Sequence, residues 1–307
     1  MRQNRGALFL YAQSFLHPGA GVSTEVIDLP IQREAHNGYP VIPASSLKGS
    51  LRDLAVQKGI DEKIIAALFG QASDTVSFAG ALIIGDGRIL AFPVRSLTRT
   101  FFWVSSPLIA ARVKRDLMVA GLKPNWGSIP EVKPTEVLVP EGCDLEDDLY
   151  LEEMNFKAKE NDAVSALAKF VSLQLDPKIV GETYVQKLEH DFALVSDSTF
   201  SYLVRFATHV NARIKLTSAK TTGTYKATEK AGKETGNLWY EEVLPSETIF
   251  YALVSADRPR GDNLGSSQQV LQELTESILS DRFIQLGANE TLGQGWCAAH
   301  FAKGGKA

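Results

Sequence analysis

The sequence predicts an α+β fold with a largely antiparallel sheet. Strand patterns open the chain and return in its last third, with helical spacings between them. No strand–GxGxxG–helix unit is present: Leu292-Gly293-Gln294-Gly295-Trp296 resembles a phosphate-cradling turn only loosely, which excludes a dinucleotide fold. No tandem repeat is evident.

The elements follow in order. Ala7–Phe15 alternates as a strand, and the breakers His17-Pro18-Gly19-Ala20-Gly21 make a loop after it. Leu47, Leu51, Leu54 and Ala55 recur at helical spacing, with Gly59 placed to end the helix. Asp61 starts a second helix that Gly70 stops. Ala79–Ile84 and Ile89–Val94 flank Gly85-Asp86-Gly87-Arg88, a strong hairpin signal. From Arg112 to Gln186 the chain reads as mostly helical or irregular, with one amphipathic helix from Asp162 to Leu175 closed by Pro177. Strand patterns resume at Phe200–Phe206, Val210–Leu216, Leu238–Val243 and Thr248–Val254. Ser266 and Gln269 form a capping box ahead of a last helix, and Trp296–Phe301 is the closing strand.

Composition narrows the function classes. The 307 residues suffice for two domains or for one with large insertions. Hydrophobic residues at 44% and charged residues at 22% exclude wholesale disorder. Two cysteines cannot build a disulfide framework or a structural zinc site. No apolar run reaches the roughly 18 residues of a span, and no small-residue cleavage site follows the N-terminal strand, so a cytoplasmic address without membrane contact is expected.

The net charge of −4 argues against a free-standing nucleic-acid binder, yet the charge is segregated. Arg88–Arg115 holds six cations and no carboxylate, and Arg205–Thr235 holds seven cations against two acids. Glu141–Asp162 carries nine acids against two lysines. Two basic stripes suit a polyanion; two solvated faces are the plain alternative.

Three places could carry chemistry. Ser45 or Ser46 is a good N-cap, which sets Lys48 and Arg52 one turn apart where an anion would relieve a cation in the first turn. An ordinary helix start with a solvated lysine is the competing reading. The loop from His17 to Asp28 holds His17, Glu25 and Asp28, a proton carrier and two carboxylates that could act as base or metal ligand. A turn histidine and a self-bonded aspartate explain the same residues. Lys215–Leu238, rich in Thr, Gly and Lys, reads as a long basic hairpin suited to a nucleic-acid backbone, or else as a tolerated insertion.

These pieces occur together in a recognisable order. Asp28–Glu34 followed by Pro40–Gly49 resembles the RAMP (repeat-associated RNA-binding) superfamily of CRISPR systems. Ala79–Leu82, Ile89–Ser96, Leu238–Pro245 and Glu290–Trp296 narrow the resemblance to the backbone-subunit family of type III-B Cmr effector complexes, over nearly the whole chain.

The resemblance implies one palm domain over 1–307 of modified ferredoxin-like (RRM-like) form, with a helical fingers insertion at about 97–190 and a β-hairpin thumb at about 211–243. It implies copies stacked head to tail on a CRISPR guide RNA beside other Cmr subunits, cutting complementary target RNA at regular intervals. A divalent ion, Mg or Mn, would be bound together with the RNA. The family's catalytic aspartate and possible metal ligand falls on Asp28, and its loop histidine on His17. RNA contacts fall on Ser45, Ser46, Lys48, Gly49, Arg52, Arg213, Lys215, Gly293 and Gly295, with Tyr240, Glu241 and Glu242 assisting. Ala44 stands where the family often has glycine, and the His17 loop is less glycine-rich. A non-catalytic guide-binding scaffold and an unrelated small-molecule hydrolase are the alternatives.

Overall fold

The structure is a computed structural model that describes residues 4–23, 26–72, 77–145, 148–216, 220, 238–260 and 264–305. Glu25 and most of the expected basic hairpin tip, including Lys226, Lys230 and Lys233, lie outside the described residues.

The chain opens with β1 (Arg5–Ala12) and β2 (Val41–Ile42), then α1 (Ala44–Gln57) and α2 (Glu62–Phe69). Next come β3 (Gly70–Ala72), β4 (Ser77–Ala79), β5 (Leu82–Ile84), β6 (Gly87–Arg95) and β7 (Phe101–Ser105). α3 (Pro107–Val119) precedes β8 (Glu136–Val139), β9 (Asp148–Leu151) and β10 (Met154–Glu160). Then follow α4 (Asp162–Ser172), α5 (Pro177–Val180), α6 (Glu182–His190), β11 (Phe192–Leu194) and α7 (Asp197–Phe206). The last third holds β12 (His209–Ile214), β13 (Leu238–Val243), β14 (Ile249–Ala256), α8 (Ser267–Gln272) with a π-helical continuation, β15 (Phe283–Gln285) and β16 (Trp296–Lys303).

The predicted α+β class holds. A twelve-stranded sheet runs β15-β16-β1-β14-β6-β7-β11-β8-β10-β9, with β2 on β6 and β5 on β14. It is antiparallel except where β10 meets β8 and β11 meets β7. β1 lies between β14 and β16, and Ala7 to Ala12 are buried on both faces, which is why this strand is almost wholly apolar. α1 sends Leu47, Leu51 and Ala55 into the core, and Gly59 follows it at φ 68°. α2 is capped by Asp61 and ends at Gly70, as expected.

Four readings need correction. Gly85-Asp86 does not turn a hairpin: β5 and β6 pair in succession with β14, so the glycine marks an interruption in one long strand. Phe200–Phe206 is helical; Ser196 caps α7, and Phe200, Leu203 and Val204 are buried at helical spacing. The segment between Arg112 and Gln186 is not mostly helical or irregular, because β8, β9 and β10 extend the sheet there. Lys159–Glu136 and Lys157–Asp148 pair across these strands. The first strand also ends at Ala12, before Phe15.

The turn joining β13 to β14 stores a pH dependence. Glu247, at φ 73°, donates its N–H to the Ala12 carbonyl and accepts from the Trp103 indole. Its Oε2 is buried with no hydrogen-bond partner among the described residues. Burial raises its pKa from 4.5 to about 7. A raised carboxyl contributes stability that is full below about 4.5 and lost as pH rises through about 7. Glu247→Gln removes this titration. In urea melts, the variant is expected to gain about 2 kcal/mol relative to wild type between about pH 5 and pH 8. A stability difference constant over that range would contradict the assignment.

Candidate nucleic-acid interface and acidic loop

α1 begins at Ala44 after Pro43, and neither Ser45 nor Ser46 caps it. The cap comes from a distant element: Asp86 Oδ1 accepts the Ala44 N–H at 2.8 Å. The serines therefore stand in the first turn, and Lys48 falls in the second. Lys48 Nζ donates to the Leu82 carbonyl (3.2 Å), and Arg52 Nη1 to the Gly70 carbonyl (3.1 Å). Both line an open groove of about 590 Å3 between α1 and β3–β5. Burial and the neighbouring Arg52 lower the Lys48 pKa. Among the described residues neither cation meets a carboxylate, so an anion in the groove would offset both charges.

The stripe from Arg88 to Arg115 contrasts with this pair. Arg88 and Arg115 bind Asp116, Arg95 binds Glu152 and Glu153, Arg99 binds Asp191, and Arg112 binds Glu34. Lys114 donates to the Trp126 carbonyl. The first basic stripe is thus spent largely on internal ion pairs, and the expectation that it faces a polyanion is withdrawn.

The acidic loop is fastened to β13. Leu29 donates its N–H to Tyr240 O and accepts from the Glu242 N–H, both at 3.0 Å. Asp28 Oδ2 accepts the Tyr240 N–H at 2.7 Å, and no partner holds Oδ1 among the described residues. The Asp28 side chain is therefore fixed at one oxygen and partly exposed at the surface.

His17 lies beneath this loop at 4% exposure. Its Nδ1 is 2.6 Å from the Glu242 carbonyl, which can only accept, so Nδ1 carries the proton. A side chain at Gly19 would reach within 2.9 Å of Nε2, so glycine lets the loop close over the ring. His17 is thus tied through Nδ1 to the β13 backbone.

Glu241 and Glu242 are adjacent on a strand and so point to opposite sides, yet both are buried. Glu241 binds Arg213 (2.9 Å) and Asn289; Glu242 binds Arg33, Thr208 (2.8 Å) and the Ile31 N–H (3.1 Å). Arg33 also donates to the Gly38 and Val204 carbonyls. Asp28, His17, Arg213, Tyr240, Glu241 and Glu242 are thus brought to one junction, and both glutamates are consumed in holding it. Asn289, Arg33 and Asp86 have no local sequence signal, because their partners are distant in the chain.

The two glycines of the turn differ: Gly293 is exposed with open space where a Cβ would stand, and Gly295 is buried. The Gly293 N–H donates to Glu290 O and the Gly295 N–H to Phe15 O. At Gly295 (φ 83°) a Cβ would fall 2.0 Å from Leu286 O, the close approach that requires glycine. Among the described residues no cluster of three or more His, Cys, Asp or Glu could hold a metal ion. No helix among them is long and apolar enough to cross a membrane.

The fold and site define an α+β protein whose largely antiparallel sheet carries a cationic groove and a docked acidic loop, and comparison assigns the class: the RAMP superfamily model matches residues 9–298, and the chain belongs to that superfamily. Within it, the chain is 35% identical to the CRISPR system Cmr endoribonuclease Cmr4 of Pyrococcus furiosus, over 94% of this chain and 92% of that protein. The solved structure of oligomeric Cmr4 from the same organism superposes with a TM-score of 0.71 at 29% identity, covering 98% of both chains. A subunit of the type III-B Cmr-beta complex bound to cognate target RNA shares the fold, with a TM-score of 0.69 at 21% identity over 97% and 96% of the two chains.

Proposed function

We propose that this chain is a repeated backbone subunit of a type III-B Cmr complex, binding guide RNA and cleaving complementary target RNA at regular intervals. The strands β15-β16-β1-β14-β6 are the palm, the segment at about 97–190 is the fingers, with β7–β10 continuing the same sheet, and β12–β13 is the base of the thumb. The observation that carries the reading is the Asp28 carboxylate: one oxygen is held by Tyr240, and the other is unspent at the surface of the junction.

In the proposed reaction Asp28 accepts the proton of a 2′-hydroxyl as that oxygen attacks its own phosphate. The O2′–P bond forms as the P–O5′ bond breaks, the leaving O5′ takes a proton from water, and the products are a 2′,3′-cyclic phosphate and a 5′-hydroxyl. Aligning the hydroxyl with the phosphate can remove several kcal/mol of barrier, up to about 7 in ideal cases. His17 fixes the loop from below, Tyr240 and Glu242 hold it to β13, and Glu241 braces β13 through Arg213 and Asn289.

The residues do not fit a resident metal ion, because Asp28 offers one unspent carboxylate oxygen and both glutamates are engaged. We infer that Mg or Mn enters with the RNA, whose phosphates supply the other oxygens.

Guide binding rests on Lys48 and Arg52. The double variant Lys48→Ala, Arg52→Ala is expected to weaken RNA binding across all sequences. The slope of log affinity against log salt should flatten by about 1–2. Titration of a labelled guide RNA at several salt concentrations measures both. Unchanged affinity and slope would remove the groove from the RNA path.

A further inference from the structure

A second cavity lies on the other flank of α1, separate from the groove that holds Lys48 and Arg52. It encloses about 430 Å3 between Gly49, Asp53 and Gln57 on the helix and Gln285, Glu290 and Trp296 opposite. We propose that it receives one unstacked nucleobase of the bound RNA, with Trp296 as the stacking platform and the helix edge reading the base. The inference rests on the RNA-binding reading above and deepens it.

Three observations converge. First, Trp296 is 46% exposed although its backbone is fixed on both sides. It pairs with Gln285 across β15–β16, its N–H donates to Ser14, and its carbonyl accepts from Gln13. A half-exposed indole carried on a fixed backbone suits base stacking, which every nucleobase can join. Second, Gly49 leaves room opposite: a Cβ there would meet nothing within 4 Å.

Third, the polar lining is acceptor-rich. Gln57 gives one of its two amide N–H groups to Asp53 Oδ2, and Gln285 spends both of its own on the Glu290 and Gln294 carbonyls. Their side-chain carbonyl oxygens remain as acceptors beside the Asp53 and Glu290 carboxylates. The one lining cation, Lys58, is held by Asp281 and Ser280. Such a lining disfavours phosphate. It favours the donor edges of bases with exocyclic amino groups, and uracil least.

The cavity also borders the acidic loop's junction. Gly287, Glu290 and Trp296 line it, while Asn289, in the same turn, binds Glu241. A base seated there would anchor RNA close to Asp28.

The test uses the full chain assembled on a guide RNA, with single abasic positions walked through the guide and, separately, through the target. One position per repeat is expected to lose roughly tenfold in affinity when its base is removed. The strand that shows it identifies the source of the base. Trp296→Ala and Gly49→Leu should each abolish that sensitivity. Gly49→Leu should fold at least as stably as wild type, since leucine favours the helix over glycine and a Cβ at this position meets nothing within 4 Å. A thermal melt checks this. Lys48-dependent RNA binding with no sensitive abasic position, or sensitivity that persists in Trp296→Ala, overturns the pocket and leaves the RNA reading standing. Absence of RNA binding by wild type overturns both.

Discussion

Asp28→Ala in the assembled complex is expected to slow target cleavage by roughly 10²–10⁴-fold, the usual worth of a positioned general base. Target affinity should stay within about twofold, because the guide contacts proposed on α1 lie outside this loop. The alanine variant also loses the acceptor for the Tyr240 N–H, worth about 1 kcal/mol at a partly exposed site. Asp28→Asn separates the two effects. Asparagine keeps an oxygen for Tyr240 but is not a base, so its cleavage should fall as far as alanine's while its stability matches wild type. Cleavage by Asp28→Asn near the wild-type rate would mean that the carboxylate only shapes the loop.

The second large effect concerns Glu242, whose carboxylate joins Arg33, Thr208 and the Ile31 N–H under the acidic loop. Removing one member of a buried ion pair leaves the other charge uncompensated and typically costs 3–5 kcal/mol. Glu242→Ala is therefore expected to lose about 3–5 kcal/mol in urea denaturation. Glu242→Gln, which can still accept two hydrogen bonds, should lose less. Ile31 lies three residues beyond Asp28, so cleavage should fall with stability in both variants. A loss under about 1 kcal/mol for Glu242→Ala would show that the network contributes little.

What the sequence reveals and what it hides divide by range. Leu47, Leu51 and Ala55 with Gly59 and Gly70 give α1 and α2, because spacing and breakers are local. The capping box at Ser266 and Gln269 is local too, with Ser266 accepting the Gln269 N–H. Gly85–Arg88 carries a hairpin signature, yet β14 satisfies both flanking strands, and β14 lies more than 150 residues away. Phe200–Phe206 is rich in strand-favouring residues, but its exposed Tyr202 and Phe206 and buried Phe200, Leu203 and Val204 follow a helical period.

The site shows the same division. His17 and Asp28 stand out as chemically able residues in one loop. Their partners Tyr240 and Glu242 lie more than 200 positions away, and the register of β13 decides which glutamate faces which cation. The Arg88–Arg115 stripe misleads because ion pairing is invisible in composition. Asp116 alone engages two of its arginines.

The most direct test of a repeated, Asp28-dependent ribonuclease subunit is a mixing experiment. Complexes are assembled on one guide RNA from wild-type and Asp28→Ala chains in varied proportion, given end-labelled complementary RNA with Mg or Mn, and the fragments sized. Wild type is predicted to give evenly spaced cuts. Mixtures should lose every cut in proportion to the mutant fraction, with spacing unchanged and no cuts in the pure mutant. Evenly spaced cuts from pure Asp28→Ala complexes, or tight target binding without cuts by wild type, would contradict it.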